Sequence, residues 1–239
     1  MSEQSALETV VLGASVAPEV FELRPDYRAL LLAVDGLLPA PSNEVSDRMV
    51  TAAEAHAREL LQSTPVEELP HVAAWRDAYR AFGAKPQRTR NSLESLLRRA
   101  ASGLPRVNAL TDLYNAISVL HQVPLGGEDL HRYQGAPRLL RATGVEPFPT
   151  AAGGEPVVEH PEPGEVVWCD DAGVTCRRWN WRQGTRTALT DATTTAVFIL
   201  DALEPMSDDA LHEAGDELAV SLRQLGPDVS VSARTIGAS

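Results

Sequence analysis

Three short segments carry more polar and aromatic chemistry than a bare scaffold requires. The first is Lys85-Pro86-Gln87-Arg88-Thr89-Arg90-Asn91-Ser92, a basic loop feeding a predicted helix start. Backbone N–H groups there, with arginines beside them, can hold a phosphate, although the residues also read as a solvated loop and cap. The second is Pro124-Leu125-Gly126-Gly127-Glu128-Asp129. Paired glycines let a backbone approach a ligand, and two carboxylates follow; a plain turn with a charged exit fits equally. The third is Arg177-Arg178-Trp179-Asn180-Trp181-Arg182-Gln183. Indoles interleaved with guanidinium and amide groups suit a nucleotide or an unstacked tRNA end, the other reading being arginines packed over structural tryptophans.

The usual signatures of phosphate-loop, dinucleotide and serine-hydrolase chemistry are absent. The six histidines form no ligand pair at helical or hairpin spacing, and Cys169 and Cys176 have no histidine at zinc-site spacing. No metal and no cofactor are expected. No Ser/His/Asp or Cys/His arrangement is legible, which disfavours a covalent mechanism. The two cysteines flank Asp171-Ala172-Gly173 symmetrically and read as reduced, half-buried residues that could face each other across a hairpin.

The elements that must position these segments follow from periodicity. Thr9 to Val16 reads as a β segment and Tyr27 to Val34 as a buried strand. Helices are predicted over Val45–Gln62 and His71–Phe82. Asn91, with Glu94 three residues on, looks like a capping box for a helix reaching Ala101, and Asn108 can cap the next. Pro124 to Asp129 reads as a turn. Residues 143–164 read as a long Gly-, Pro- and Glu-rich connection. Glu165–Asp170 and Val174–Trp179 make a hairpin, and Thr195–Leu200 a buried strand. Ser207 caps a last helix stopped by Gly226 and Pro227, and Val229–Arg234 alternates like an edge strand. Central helices with strands on both sides give one α+β domain.

The chain has 239 residues, 44% hydrophobic and 23% charged, as in ordinary globular proteins. No apolar run approaches a membrane span, and the acidic N-terminus lacks a signal-peptide layout, so a cytoplasmic protein with no membrane partner is expected. The net charge of −12 argues against nucleic acid, but its distribution is uneven. Residues 1–70 carry twelve acids and four arginines, whereas Arg76–Arg106 carries eight basic residues and two acids. Arg177–Arg186 has four arginines and no acid; Asp191–Glu217 has eight acids and no lysine or arginine. From charge alone the basic islands read as solvated faces balancing acidic ones.

The run from Asn91 to Asp129 resembles the phenylalanyl-tRNA synthetase β subunit. Pro105, Asn108, Asp112, Asn115, Pro124, Leu125 and Asp129 fall at the spacings of that family's editing module. Gly173 to Trp181, then Thr190 or Thr193, then Ile199-Leu200-Asp201-Ala202 continue in the same order. The similarity is strongest over residues 27–205 and is that of a stand-alone B3/B4 (tRNA-editing) protein. It implies a single B3/B4-like α+β domain over residues 1–239, with a mixed β-sheet and helices. It also implies trans-acting hydrolysis of the ester of a mischarged tRNA, whose aminoacylated 3′ end is the partner. Such a site needs no metal or covalent nucleophile: it positions a water, and the substrate's terminal ribose hydroxyl is thought to assist.

The resemblance then suggests roles. Arg90, Asn91 and Ser92 would hold the tRNA end. Asn108, Asn115, Gly126 and Gly127 would line the pocket. Glu128, Asp129 and Asn180 form the catalytic set. Glu128 is the nearest group to a general base, since Gly126 stands where the family's Pro-Leu-His-Ala-Phe-Asp run has histidine. Arg178, Trp179, Trp181 and Arg182 replace a glycine-rich strand end and would clamp the terminal adenosine or the amino acid. Asp201 falls near the acid that reads tyrosine's hydroxyl, one methylene shorter, so tyrosine specificity does not carry over. The alternatives are a non-catalytic tRNA or aminoacyl-ligand binding module of the same fold, favoured by Gly126, and a protein-interaction domain, favoured by the acidic flanks.

Overall fold

A computed structural model describes residues 3–100 and 102–238. A four-stranded antiparallel sheet in the order β11-β2-β10-β3 forms the centre. Its strands are β2 (Arg28–Asp35), β3 (Leu125–Asp129), β10 (Ala196–Ala202) and β11 (Ser230–Gly237). A second sheet has the order β1-β4-β7-β8-β9 and is parallel only between β1 and β4. It comprises β1 (Ser15–Val16), β4 (Arg138–Arg141), β7 (Val166–Asp170), β8 (Gly173–Arg177) and β9 (Arg182–Gln183). A small hairpin joins β5 (Phe148–Ala152) to β6 (Glu155–Glu159). The helices are α1 (Glu3–Gly13), α2 (Pro18–Leu23), α3 (Glu44–Leu60), α4 (Pro70–Ala81), α5 (Ser92–Ala100), α6 (Ala109–Leu120) and α7 (Asp208–Arg223). The fold class is α+β, with mixed sheets and helices.

The continuous apolar lettering of β2 and β10 has a simple cause: both faces of the central sheet are covered. Ala29, Leu31, Ala33, Val197 and Ile199 pack against α1, α4 and the second sheet. Leu30, Leu32, Val34, Phe198 and Leu200 pack beneath Ile117 of α6 and Leu211, Ala214, Leu218 and Leu222 of α7. A third cluster joins α3, α5 and α6 through Ala53, Ala57, Leu93, Leu97, Ala116 and Val119. The caps expected at Asn91, Asn108 and Ser207 are made: their side chains accept from the N–H groups of Glu94, Thr111 and Ala210. Glu94 does not close a capping box. Its carboxylate instead takes Arg76 and Arg98. Ala101, the expected helix end, lies outside the described residues.

Three expectations are corrected. Residues 9–13 are helical, because Leu7, Val11 and Ala14 fall on one stripe buried against the central sheet; that docking overrides the β-branched run Val10-Val11. Leu125–Asp129 is a strand, although its glycines suggested a turn. Gly127 is small because a Cβ there would stand 2.5 Å from Cε1 of Phe198. The long connection of residues 143–164 contains the β5–β6 hairpin, turned by Gly153 and Gly154 with φ of 62° and 88°. The cysteines are free, buried and not opposite each other. A register shift pairs Trp168 with Cys176 and Cys169 with Val174.

Candidate functional site

A cavity of about 280 Å³ lies between the two sheets. Its floor comes from one face of the central sheet. Gly126 and Glu128 of β3 and Ile199 and Asp201 of β10 share this face because strand side chains alternate. The same alternation turns Gly127 and Asp129 away. Gly127 faces Phe198 and Leu189, while Asp129 accepts from Thr193 Oγ1 at 2.8 Å and the His131 N–H at 2.9 Å. Asp129 is thus held by Thr193 and the turn after β3 and does not face the cavity, unlike Glu128 and Asn180 of the expected catalytic set. Trp168, Cys176 and the segment from Trp179 to Gln183 cover the floor from the second sheet. Ser92, Ser95 and Leu96 of α5, with Tyr114 and Asn115 of α6, close the side.

Two carboxylates face the cavity, each only 3% exposed. Burial pushes Glu128 up from its ordinary value near 4.5 to about 7, against the hydroxyls of Tyr133, Thr175 and Thr187 and the charge of Arg186, which favour its ionised form. Tyr133 donates a short hydrogen bond to Glu128 Oε2. Burial likewise pushes Asp201 up from 3.8 to about 7. Tyr27 donates to its Oδ1 at 2.6 Å and Asn180 Nδ2 to its Oδ2 at 3.3 Å. The Trp168 indole also favours ionised Asp201, though its N–H falls short of hydrogen-bond geometry. Tyr79 donates to Asn180 Oδ1 at 2.9 Å, so the amide is held from both ends. Burial and then the nearby carboxylates raise the Cys176 thiol well above its ordinary value, which disfavours the thiolate that nucleophilic attack needs.

The segment from Arg178 to Trp181 is unusual in its backbone. Arg178 and Trp179 have φ of 49° and 67°, the left-handed region that glycine prefers. Trp179 is fully buried, edge-on to Tyr27 at 4.9 Å and to Trp75 at 5.2 Å between ring centroids. It is part of the core as well as a cavity wall, which leaves no free ring face for the expected stacking on adenosine. Trp181 is half-buried with the guanidinium groups of Arg178 and Arg182 at 4.5 and 4.8 Å from its centroid.

The cavity thus gathers Ser92, Asn115, Gly126, Glu128, Trp179, Asn180, Trp181, Arg182 and Asp201 from segments far apart in sequence. Arg90, Asn91, Asn108, Gly127, Asp129 and Arg178 do not line it. The α5 start does not form a free anion cradle. The Ser92 N–H donates to Asn180 O, that of Glu94 to Asn91 Oδ1 and that of Ser95 to Asn91 O. Arg90 lies 3.6 Å from Glu94, and Asn108 caps α6 beside a separate small cavity. The sequence reading missed Tyr27, Trp168, Cys176 and Tyr133. No local signal marks the tyrosines, whose partners are set by strand pairing and by the turn after β3.

The basic islands are largely paired within the fold. Arg177 meets buried Glu165 through Nε and Nη2, both at 2.8 Å, and Glu159 at 2.9 Å. Arg182 also meets Glu159, and Arg186 grips Asp170 through both terminal nitrogens. Arg76, Arg90 and Arg98 surround Glu94, and Arg106 joins Asp47 and Glu54. Among the described residues, no three His, Cys, Asp or Glu side chains gather as a metal site. No described helix is long and apolar enough to cross a membrane.

The family model for the B3/4 domain matches residues 74–215, a stretch that contains every segment lining the cavity. The chain belongs to the B3/4 domain family. Tyr27 lies outside the matched stretch, so this B3/4 protein completes its buried Asp201 pair with a residue from the preceding chain. An N-terminal fragment of the phenylalanyl-tRNA synthetase β-subunit from Pyrococcus horikoshii is similar in structure, with 11% identity and a TM-score of 0.46. The similarity covers 91% of this chain and 49% of that one, so the B3/4 protein spans about half of the chain it matches. No curated protein matches its sequence.

Proposed function

We propose that this B3/4 protein is a trans-acting deacylase that hydrolyses the ester of a mischarged aminoacyl-tRNA. One observation carries the reading: Glu128 lines the cavity between the two sheets, held by Tyr133, with burial raising its carboxyl to about 7. A carboxyl in that range exchanges a proton readily at neutral pH and is strong enough as a base to activate water. Family membership, together with the resemblance of residues 91–129 to the synthetase editing module, supports an aminoacyl-tRNA as substrate. We read residues 1–239 as one functional unit acting in the cytoplasm.

Glu128 takes a proton from water as the water oxygen bonds to the ester carbonyl carbon. The carbonyl oxygen gains negative charge, and donors on the cavity wall, such as Ser92 Oγ and Asn180 Nδ2, suit its stabilisation. The bond from carbon to the ribose oxygen then breaks, and Glu128 returns the proton to that oxygen. The products are a free amino acid and an uncharged tRNA. Neutral Cys176 takes no part.

The test is deacylation across a panel of aminoacyl-tRNAs. Glu128→Ala should lower turnover on the order of 10²–10⁴-fold in a protein whose circular dichroism is unchanged. Glu128→Ala and Asn180→Ala both turning over at the wild-type rate would sink the assignment. A second reading is favoured by the paired arginines, which leave few free cations for a tRNA backbone. On that reading the cavity holds the aminoacyl ligand without hydrolysing it, and saturable binding with no turnover would select it.

A further inference from the structure

The cavity is electrically unbalanced. Glu128 and Asp201 both face it, and among the described residues neither has an ion-pair partner. The one arginine in the lining, Arg182, is held by Glu159 at 2.6 Å and stacks on Trp181 and Phe148. Arg186 is occupied by Asp170. Buried carboxylates without a counter-charge are costly, and a bound cation relieves that cost.

The two carboxylates are also separated. Glu128 pairs with Val197, and Asp201 lies four residues further along β10 on the same face. At strand rise this puts their backbones roughly 13 Å apart, with the side chains reaching into one cavity. Both act electrostatically on the Cys176 thiol in its wall. A second, independent feature points to a ligand. Trp168 and Trp179, 2% and 0% exposed, belong to the lining, and their indole N–H groups lie toward Asp201 and Tyr27 without completing a hydrogen bond. Buried donors without a completed bond suit an acceptor supplied by a ligand.

We propose that the acyl group this cavity takes is doubly cationic: the ester of an amino acid with a basic side chain, its two positive charges set against Glu128 and Asp201 and its carbonyl facing the donors of the cavity wall. The assignment rests on the reading of the cavity as an aminoacyl site. It adds the class of amino acid, because a neutral side chain would leave one buried carboxylate unanswered.

Equilibrium binding to the intact protein tests it without any ester to hydrolyse. Lysine amide carries two ammonium groups; norleucine amide has a side chain of nearly the same shape and carries one. Lysine amide should bind on the order of tenfold tighter or more by calorimetry. Glu128→Gln and Asp201→Asn should each shrink that preference, and the wild-type comparison stands even where a variant fails to fold. Norleucine amide binding as tightly as lysine amide, or neither amide binding, overturns the proposal. Turnover of neutral aminoacyl-tRNAs without a preference for lysine amide would refute the charge assignment and leave the deacylase standing. A lysine amide preference without turnover of any aminoacyl-tRNA would do the reverse.

Discussion

Replacing Glu128 with glutamine should make the protein more stable at pH 8, relative to wild type, than at pH 4. Folding lifts this carboxyl from its ordinary value near 4.5 to about 7. Below pH 4.5 the group is protonated in both the folded and unfolded chain, and its contribution to stability is fully present. Between 4.5 and 7 the unfolded chain gives up the proton that the native protein keeps, so stability falls as pH rises. Above about 7 both states are ionised and the loss levels off. At 1.36 kcal/mol per pH unit of difference, the loss is about 3 kcal/mol. Glutamine does not titrate, so the variant escapes it, while its altered bond to Tyr133 adds an offset independent of pH. Urea unfolding of both proteins at several pH values from 4 to 8 gives the gap between them. Asp201 titrates in both and cancels as far as the two sites are independent, which an Asp201→Asn background checks. A gap that stays constant across this range would refute the buried, unpaired state of Glu128, and with it the water-activating role.

Gly127→Ala should destabilise by roughly 1–3 kcal/mol in denaturant unfolding, because the new methyl group would lie 2.5 Å from Phe198 Cε1 and 2.9 Å from Leu189 Cδ1. Arg177→Ala strands Glu165, 3% exposed, without its bidentate partner and should cost roughly 3–5 kcal/mol; Arg177→Met combined with Glu165→Leu should recover most of that in the same assay.

The periodic elements were legible because their causes are local. Helices α3 and α4 follow from apolar stripes, α5 to α7 from stripes with named caps, and β2 and β10 from short apolar runs bounded by polar residues. The failures have physical reasons too. Residues 9–13 carry a strand-like composition that docking onto the central sheet overrides. Gly126 and Gly127 suggest a turn until Phe198 is placed against them across the strand pair. At the site, the two unusual segments could be picked out one by one, since a glycine pair before acids and indoles among arginines are visible in the letters. What sets their chemistry was not visible. Tyr27 reaches Asp201 across 174 positions through the pairing of β2 with β10, and Tyr79 reaches Asn180 across 101 through the packing of α4 against the second sheet. The charge islands show the same limit. They read as free patches until Glu159, Glu165 and Asp170 fold onto them.

The left-handed residues Arg178 and Trp179 connect these observations. Each costs roughly 1–2 kcal/mol relative to a glycine, which is the residue type the resembling synthetase run has at this strand end. The conformation persists because the side chains offset it. The Trp179 ring is buried among Tyr27, Trp75 and Phe82, and Arg178 lies over Trp181 while approaching Glu165. The turn then delivers Asn180 between Tyr79 and Asp201, with its carbonyl accepting the first N–H of α5. A stretch that glycine would leave as bare backbone thus becomes an indole wall tied to a buried carboxylate. Gly126 leaves its position on β3 without a side chain, so the carboxylates on this floor are Glu128 and Asp201. On the proposed reading such a floor selects its ligand by charge, which is why the amine content of the ligand is the property to vary first.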